Sequence, residues 1–195
     1  MKTVIIQYNA GNTASVQFAL QRIGVDAVVT DDIDLIKAAD RVIFPGVGHA
    51  QAAMQYLKEK QLATVLTQLK QPVLGICLGQ QLMCQFSEEG ATPCLGVFDE
   101  EVKLFKVAPL KVPLVGWHQL HQTSTLLFED VPDGSYVYAV HSYYCALGEH
   151  TAATGFYGHA YSAALQRDNF YAVQFHPEKS GKVGEQILNN FIFRT

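Results

Sequence analysis

Pro72-Val73-Leu74-Gly75-Ile76-Cys77-Leu78-Gly79-Gln80-Gln81 decides the fold of this chain. An apolar run of strand length stops at a Gly-x-Cys-x-Gly turn, and the apolar pattern then takes a helical period over Leu78–Phe86. Strand, sharp turn and helix in that order form a nucleophile elbow, here with cysteine in place of the more common serine. Glycine on both sides lets the backbone pack closely while the central residue is forced into a strained conformation. That conformation lifts the thiol of Cys77 out of the sheet. The competing reading, a buried cysteine at a strand end with packing glycines, is open for any isolated Gly-x-Cys-x-Gly.

Working outward, the same alternation fills the first half. Short apolar runs at Thr3–Tyr8, Ala27–Val29, Arg41–Phe44 and Val73–Ile76 alternate with helical stretches at Ala14–Ile23, Ile33–Ala38, Ala50–Leu69 and Leu78–Phe86. Near-continuous apolar strands separated by helices predict a parallel sheet covered on both faces. From about Val97 the pattern becomes β-rich, through Val97–Val107, Val112–Trp117, Tyr136–Val140, Thr151–Tyr157, Tyr161–Gln166 and Phe170–Phe175, with turns such as Pro132-Asp133-Gly134. Such runs pair antiparallel most easily. A helix over Gly181–Phe193 follows. With no linker or repeat, residues 1–195 read as a single α/β domain whose mixed, mainly parallel central sheet is flanked by helices.

Length and charge narrow the function. A chain of 195 residues buries roughly 70% of its unfolded surface in one core. A formal charge of -4 with 16% charged residues offers no basic field for nucleic acid. The first residues lack the long apolar region of a signal peptide, and no stretch is apolar enough to span a bilayer, so a cytoplasmic protein is expected. The four cysteines form no Cys-x-x-Cys pair, so neither a zinc site nor a disulfide framework is signalled. Cys84, Cys94 and Cys145 read as reduced hydrophobes.

Cys77 needs a base. A helix N-terminus favours a thiolate by only about 0.3–2 kcal/mol, too little by itself to ionise an ordinary thiol at neutral pH. Of the seven histidines, His176 follows the apolar strand Phe170–Phe175, and Pro177 biases it toward extended backbone. Residues two apart on extended backbone project to the same side, which lets Glu178 orient the imidazole. Alone, His-Pro-Glu also fits a surface turn. Both Cys77 and His176 come directly after strands, and ligands collect at the carboxyl edges of such sheets. A Cys77–His176–Glu178 triad is therefore expected. His150 and His159 lie near turns and read as solvated, His118 and His121 lack an orienting acid, and His49 and His141 suit structural or substrate-positioning roles.

Acyl transfer also needs donors for a tetrahedral oxyanion, each contributing about 2.7–4 kcal/mol. The elbow supplies the Leu78 N–H. Pro45-Gly46-Val47-Gly48 sits after another strand and can supply a second from Val47 or Gly48, although an ordinary tight turn before a helix fits the same residues.

With these residues on the page, GICLGQQL, FHPEKSG and PGVGH resemble the class I (triad) glutamine amidotransferases. Together with YNAGN, LVGWHQL, VHSYY and HPEKSGKVGEQILNNFI, they look like the glutaminase subunits of imidazole glycerol phosphate synthases. The resemblance runs from Tyr8 to Phe191 and implies a flavodoxin-like fold with no metal or cofactor. By it, Cys77 is the nucleophile, His176 the base and Glu178 its partner, with Gln80, Ser142 and Tyr143 holding glutamine and Val47 in a switchable oxyanion strand. It implies glutamine hydrolysis through a γ-glutamyl thioester and passage of ammonia to a (β/α)8-barrel cyclase subunit in histidine biosynthesis. The Tyr8–Asn12 loop and Trp117 are the expected contacts with that partner. Two departures from the family pattern are His118, where asparagine is usual after Gly-Trp, and Gln81, where methionine is common.

The chain carries no phosphate-binding Gly-x-x-x-x-Gly-Lys loop, so the acceptor chemistry is expected on a second protein. Rival readings are a glutaminase subunit of the pyridoxal phosphate or anthranilate synthase type, a catalytically silent regulatory subunit, or a cysteine peptidase.

Overall fold

In a computed structural model, residues 1–9 and 12–195 are described. Strands Thr3–Ile6, Ala27–Thr30, Arg41–Gly46 and Val73–Cys77 are parallel, with Thr3–Ile6 between Ala27–Thr30 and Arg41–Gly46. Side chains alternate across this sheet. Ile5, Ile43 and Leu74 enter one buried cluster with Leu20, Ile187 and Phe191 from the helices Thr13–Arg22 and Gly181–Phe193. Val4, Val42 and Val73 enter another with Leu57 and Leu66 from Ala50–Glu59 and Leu62–Gln68. Two-sided burial explains why Thr3–Ile6, Arg41–Gly46 and Val73–Cys77 read as unbroken apolar runs, whereas the edge strand Ala27–Thr30 leaves Val28 exposed. Each such leucine stabilises the fold by roughly 1.5–3 kcal/mol through burial.

Among the described residues, the sheet continues to 11 strands. Phe170–Val173 pairs parallel with Val73–Cys77 and antiparallel with His159–Arg167, so the direction of pairing changes at this strand. Among the later strands, whose sequence suits antiparallel partners, it is the one inserted into the parallel part. Leu114–Gln119 and Tyr136–His141 form a separate antiparallel pair.

Two expected helices are shorter than their apolar patterns. The stretch Ala50–Leu69 divides where Gln61 adopts a left-handed backbone (φ 59°), after the polar run Lys58-Glu59-Lys60. The elbow helix ends at Met83, Cys84 is extended, and a short strand follows at Phe86–Ser87. No helix among the described residues is long and apolar enough to cross a membrane.

The register places the chemistry. Gly46 pairs with Cys77 on one side of the central strand, and Val173 pairs with Ile76 on the other. The Pro45–Gly48 segment, the thiol and the His176 segment therefore leave neighbouring parallel strands at the same carboxyl edge.

Candidate active site

Cys77 has φ 54° and ψ −107°, a conformation that L residues rarely adopt. Close packing enforces it. A Cβ on Gly79 would collide with the carbonyl oxygen of Phe44, so the elbow presses against the neighbouring strand where only glycine fits. The thiol opens on a cleft of about 390 Å³ lined by Val47, Gly48, Leu78, Ser142, Tyr143 and His176, among others. That volume suits an amino-acid-sized ligand.

His176 is almost fully buried, and its Nδ1 lies 2.8 Å from Oε1 of Glu178. The route to that contact differs from the extended spacing expected from sequence. His176 itself is extended, but Pro177–Lys179 forms a 3-10 turn that brings the carboxylate back beneath the ring. The backbone is clamped as well: the His176 N–H donates to Tyr138 O at 2.8 Å, and Ser180 Oγ donates to His176 O at 2.7 Å. Burial acts to lower the imidazole pKa, but hydrogen bonds and charge attraction from Cys77 and Glu178 outweigh it and push the ring up to about 10. The ring therefore holds its proton tightly between sulfur and carboxylate.

The segment expected to bear the second oxyanion donor is pinned at both ends. Tyr8 donates its hydroxyl to Pro45 O at 2.6 Å, and the Ala50 N–H donates to Glu89 Oε2 at 2.7 Å. Between the pins, Gly48 has φ 123°, open to glycine and strained for other residues. His49 caps the following helix by accepting from the Gln51 N–H, which is a structural role.

The structure does not bring Gln80 to the cleft. Its side chain is fully buried, and its Nε2 donates to Ser162 O at 3.0 Å. Gln81 lines the cleft instead, with Nε2 donating to Tyr143 O and to Gln174 Oε1, each at 3.0 Å. One helical turn beyond Cys77 falls between these two glutamines, so spacing alone does not choose between them. Glu89 and Gln174 also escaped the sequence reading. The first lines the cleft from the turn after Ser87, and the second donates to Cys77 Sγ at 3.7 Å. The only local signal for Gln174 was a polar residue inside an apolar strand.

His141 also lines the cleft. Its Nδ1 bonds to Tyr143 O at 2.7 Å, and burial pushes its pKa down to about 4 despite that bond. His150 and His159 are less solvated than their turn positions suggested. His150 packs on Phe98, His159 packs on Tyr144, and the Nε2 of each is buried.

A thiol on a strained elbow, a carboxylate-oriented imidazole and a glycine-bearing loop at one cleft can carry out acyl transfer. Comparison with known proteins agrees with that class. The model of the family "Glutamine amidotransferase class-I" matches residues 4–195. A solved glutamine amidotransferase superposes with TM-score 0.75 at 17% identity, covering 97% of this chain and 96% of that one. The structure of PurLQS from Thermotoga maritima does so with TM-score 0.74 at 15% identity, covering 98% and 97%. At such identities the likeness is one of fold. The chain belongs to the class I glutamine amidotransferase family.

Within that family its sequence is similar to imidazole glycerol phosphate synthase subunits HisH. The subunit of Bacteroides fragilis is 54% identical over 196 residues, covering 98% of this chain and 99% of the relative. That of Bacteroides thetaiotaomicron is 51% identical over 194 residues with the same coverage, and that of Shewanella loihica is 46% identical over 200 residues, covering 97% and 89%.

Proposed function

We infer that Cys77, His176 and Glu178 hydrolyse glutamine, and that residues 1–195 form one glutaminase domain serving an imidazole glycerol phosphate synthase. The chain is a glutamine amidohydrolase of that synthase in histidine biosynthesis. The observation that carries the catalytic assignment is the buried 2.8 Å His176–Glu178 pair facing a thiol at positive φ.

The Cys77 sulfur, which has already given its proton to His176 in the resting pair, attacks the γ-carbonyl carbon of glutamine. The carbonyl electrons move to oxygen, where the Leu78 N–H and an N–H from Val47 or Gly48 receive them. His176 gives its proton to the leaving nitrogen, the C–N bond breaks, and ammonia departs from a γ-glutamyl thioester on Cys77. Water, deprotonated by His176, then attacks the thioester; the C–S bond breaks, and the thiol and glutamate are released. Glu178 holds the ring in the tautomer and orientation that both transfers need. The backbone of Ser142 and Tyr143 holds the substrate carboxylate, and Glu89, with one oxygen on Ala50 N–H, attracts its ammonium group.

Ammonia released to water would be lost, so a (β/α)8-barrel cyclase subunit docks over the cleft and consumes it. An apolar surface on the separate strand pair supports that docking: Val115, Trp117 and Tyr136 are all more than half exposed, and Pro113 and Val140 nearby line the cleft. In the loop expected to share this contact, Ala10 and Gly11 lie outside the described residues. His118 follows Trp117 on the same strand, faces the opposite way and packs on Tyr157. The chain's free cysteines accord with a reducing, cytoplasmic setting.

The test is glutamate release from glutamine by the purified chain, alone and with the cyclase. Low activity alone and strong stimulation by the partner with its acceptor bound are expected. Glutamate release that survives Cys77→Ala would end this reading.

A further inference from the structure

The sulfur of Cys77 has a protein partner that the triad does not include. Gln174 is buried at 1% exposure in the segment leading to His176, and its Nε2 lies 3.7 Å from Cys77 Sγ. An amide side chain can be turned either way, so the identity of the facing atom has to be argued from its neighbours.

The network fixes it. A backbone carbonyl can only accept, so the Tyr143 oxygen requires the NH2 of Gln81 at its 3.0 Å contact. The other hydrogen of that NH2 then needs an acceptor. It finds one in Gln174 Oε1, also at 3.0 Å. With its oxygen committed there, the Gln174 NH2 points at sulfur. Reversing either amide would set donor against donor or acceptor against acceptor between two buried side chains, a change that typically costs about 1–3 kcal/mol per unpaired group. The same sulfur also hydrogen-bonds with His176 and makes a long contact to Val140 O at 3.9 Å. The donor reaching the nucleophile is therefore set by a carbonyl on the far side of the cleft.

We propose that Gln174 is a further catalytic residue: its amide N–H, oriented through Gln81 by the Tyr143 carbonyl, stabilises the Cys77 sulfur as it gains negative charge. A hydrogen bond to a charged group in a buried site is worth more than one between neutral groups. Its loss therefore lowers the nucleophile's reactivity more than the fit of the substrate. The relay also couples the strand that holds glutamine to the atom that attacks it. The inference rests on Cys77 being the nucleophile.

The experiment uses the chain in complex with its cyclase subunit and compares wild type with Gln174→Met, which keeps the side-chain length and removes the donor. Two quantities are read: the rate of Cys77 alkylation by iodoacetamide, followed by peptide mass, and the steady-state kinetics of glutamate release. Alkylation and kcat are each expected to fall about 10- to 100-fold, the span of a lost charge-assisted hydrogen bond, with KM for glutamine within twofold of wild type. Gln174→Asn, which keeps an amide but withdraws it by one carbon, should lose alkylation similarly and guards against a misfolded methionine variant. Alkylation at the wild-type rate in either folded variant overturns the proposal, as does a rise in KM with kcat unchanged. If Cys77→Ala keeps full glutaminase activity, the nucleophile assignment itself fails. That outcome is distinct from a Cys77-dependent enzyme indifferent to Gln174.

Discussion

The helix Leu78–Met83 has a cysteine at each end, and the two are chemically opposite. Cys77 at its N-terminus faces a cleft, with His176 and the Gln174 amide around its sulfur. Cys84 at its C-terminus is fully buried, gives its thiol to Gln80 O at 3.6 Å, and lies 3.5 Å from Cys145 Sγ. Burial first, and then the neighbouring Cys145, push the Cys84 thiol well above its ordinary range. The same division holds for the adjacent glutamines, Gln81 in the cleft and Gln80 in the core. Residue type does not set the chemistry here; the sign of the helix end and the presence of charged partners do.

The largest effects should separate the two ends most sharply. Cys77→Ala or His176→Ala is expected to lower kcat for glutamine hydrolysis by about 10⁵–10⁶, and Glu178→Gln by about 10⁴, since the last disturbs orientation without removing the base. Cys84→Ala should leave kcat within twofold. Equal losses for His176→Ala and Glu178→Gln would break the division between base and orienter.

A second contrast concerns two buried histidines. His141, pushed down to about 4 by burial, remains neutral in the fold while the unfolded chain takes up a proton near pH 6.5. Its contribution is thus present above pH 6.5 and is lost as pH falls toward 4, on the order of 3 kcal/mol. His176, raised to about 10, acts in the opposite sense: its contribution is full below pH 6.5 and fades as pH rises through 10. Urea denaturation across pH 4–10 checks both. His141→Gln should flatten the acid limb, and an unchanged limb would show that burial of this ring is not its cause.

Smaller effects test the glutamine pair. Gln81→Ala should raise KM for glutamine by roughly tenfold, because it frees the Tyr143 strand, and should also lower kcat, because it releases the Gln174 amide, with a loss of stability of about 1 kcal/mol. Gln80→Ala should leave KM within twofold but destabilise the fold by about 2–3 kcal/mol, through a lost bond to Ser162 and a small cavity. Stability comes from chemical denaturation and KM from initial rates. A reversed pattern would mean that the two side chains exchange places in the working complex.

Much of the fold was legible because its signals are local. The alternation of apolar runs and helical periods located the parallel strands, and the glycine-flanked cysteine located the elbow. The pairing of His176 with Glu178 is legible by the same local logic, although a 3-10 turn, and not extended backbone, joins them. The family resemblance points to Gln80, whereas the structure puts Gln81 in the cleft; both lie about one helical turn from Cys77. The pattern of the chain does not say which way a helix end rotates when it docks.

Sequence by itself determined a thiol in a turn flanked by glycines, and an imidazole and a carboxylate two residues apart. Tertiary structure alone decided how they are tuned. Phe170–Val173 inserts parallel beside Val73–Cys77, bringing Gln174 to the sulfur across 97 residues of chain, and the docked turn after Ser87 brings Glu89 to the cleft. Periodicity reports which face of an element is buried, whereas partners so distant in sequence are chosen by the packing of whole elements against one another.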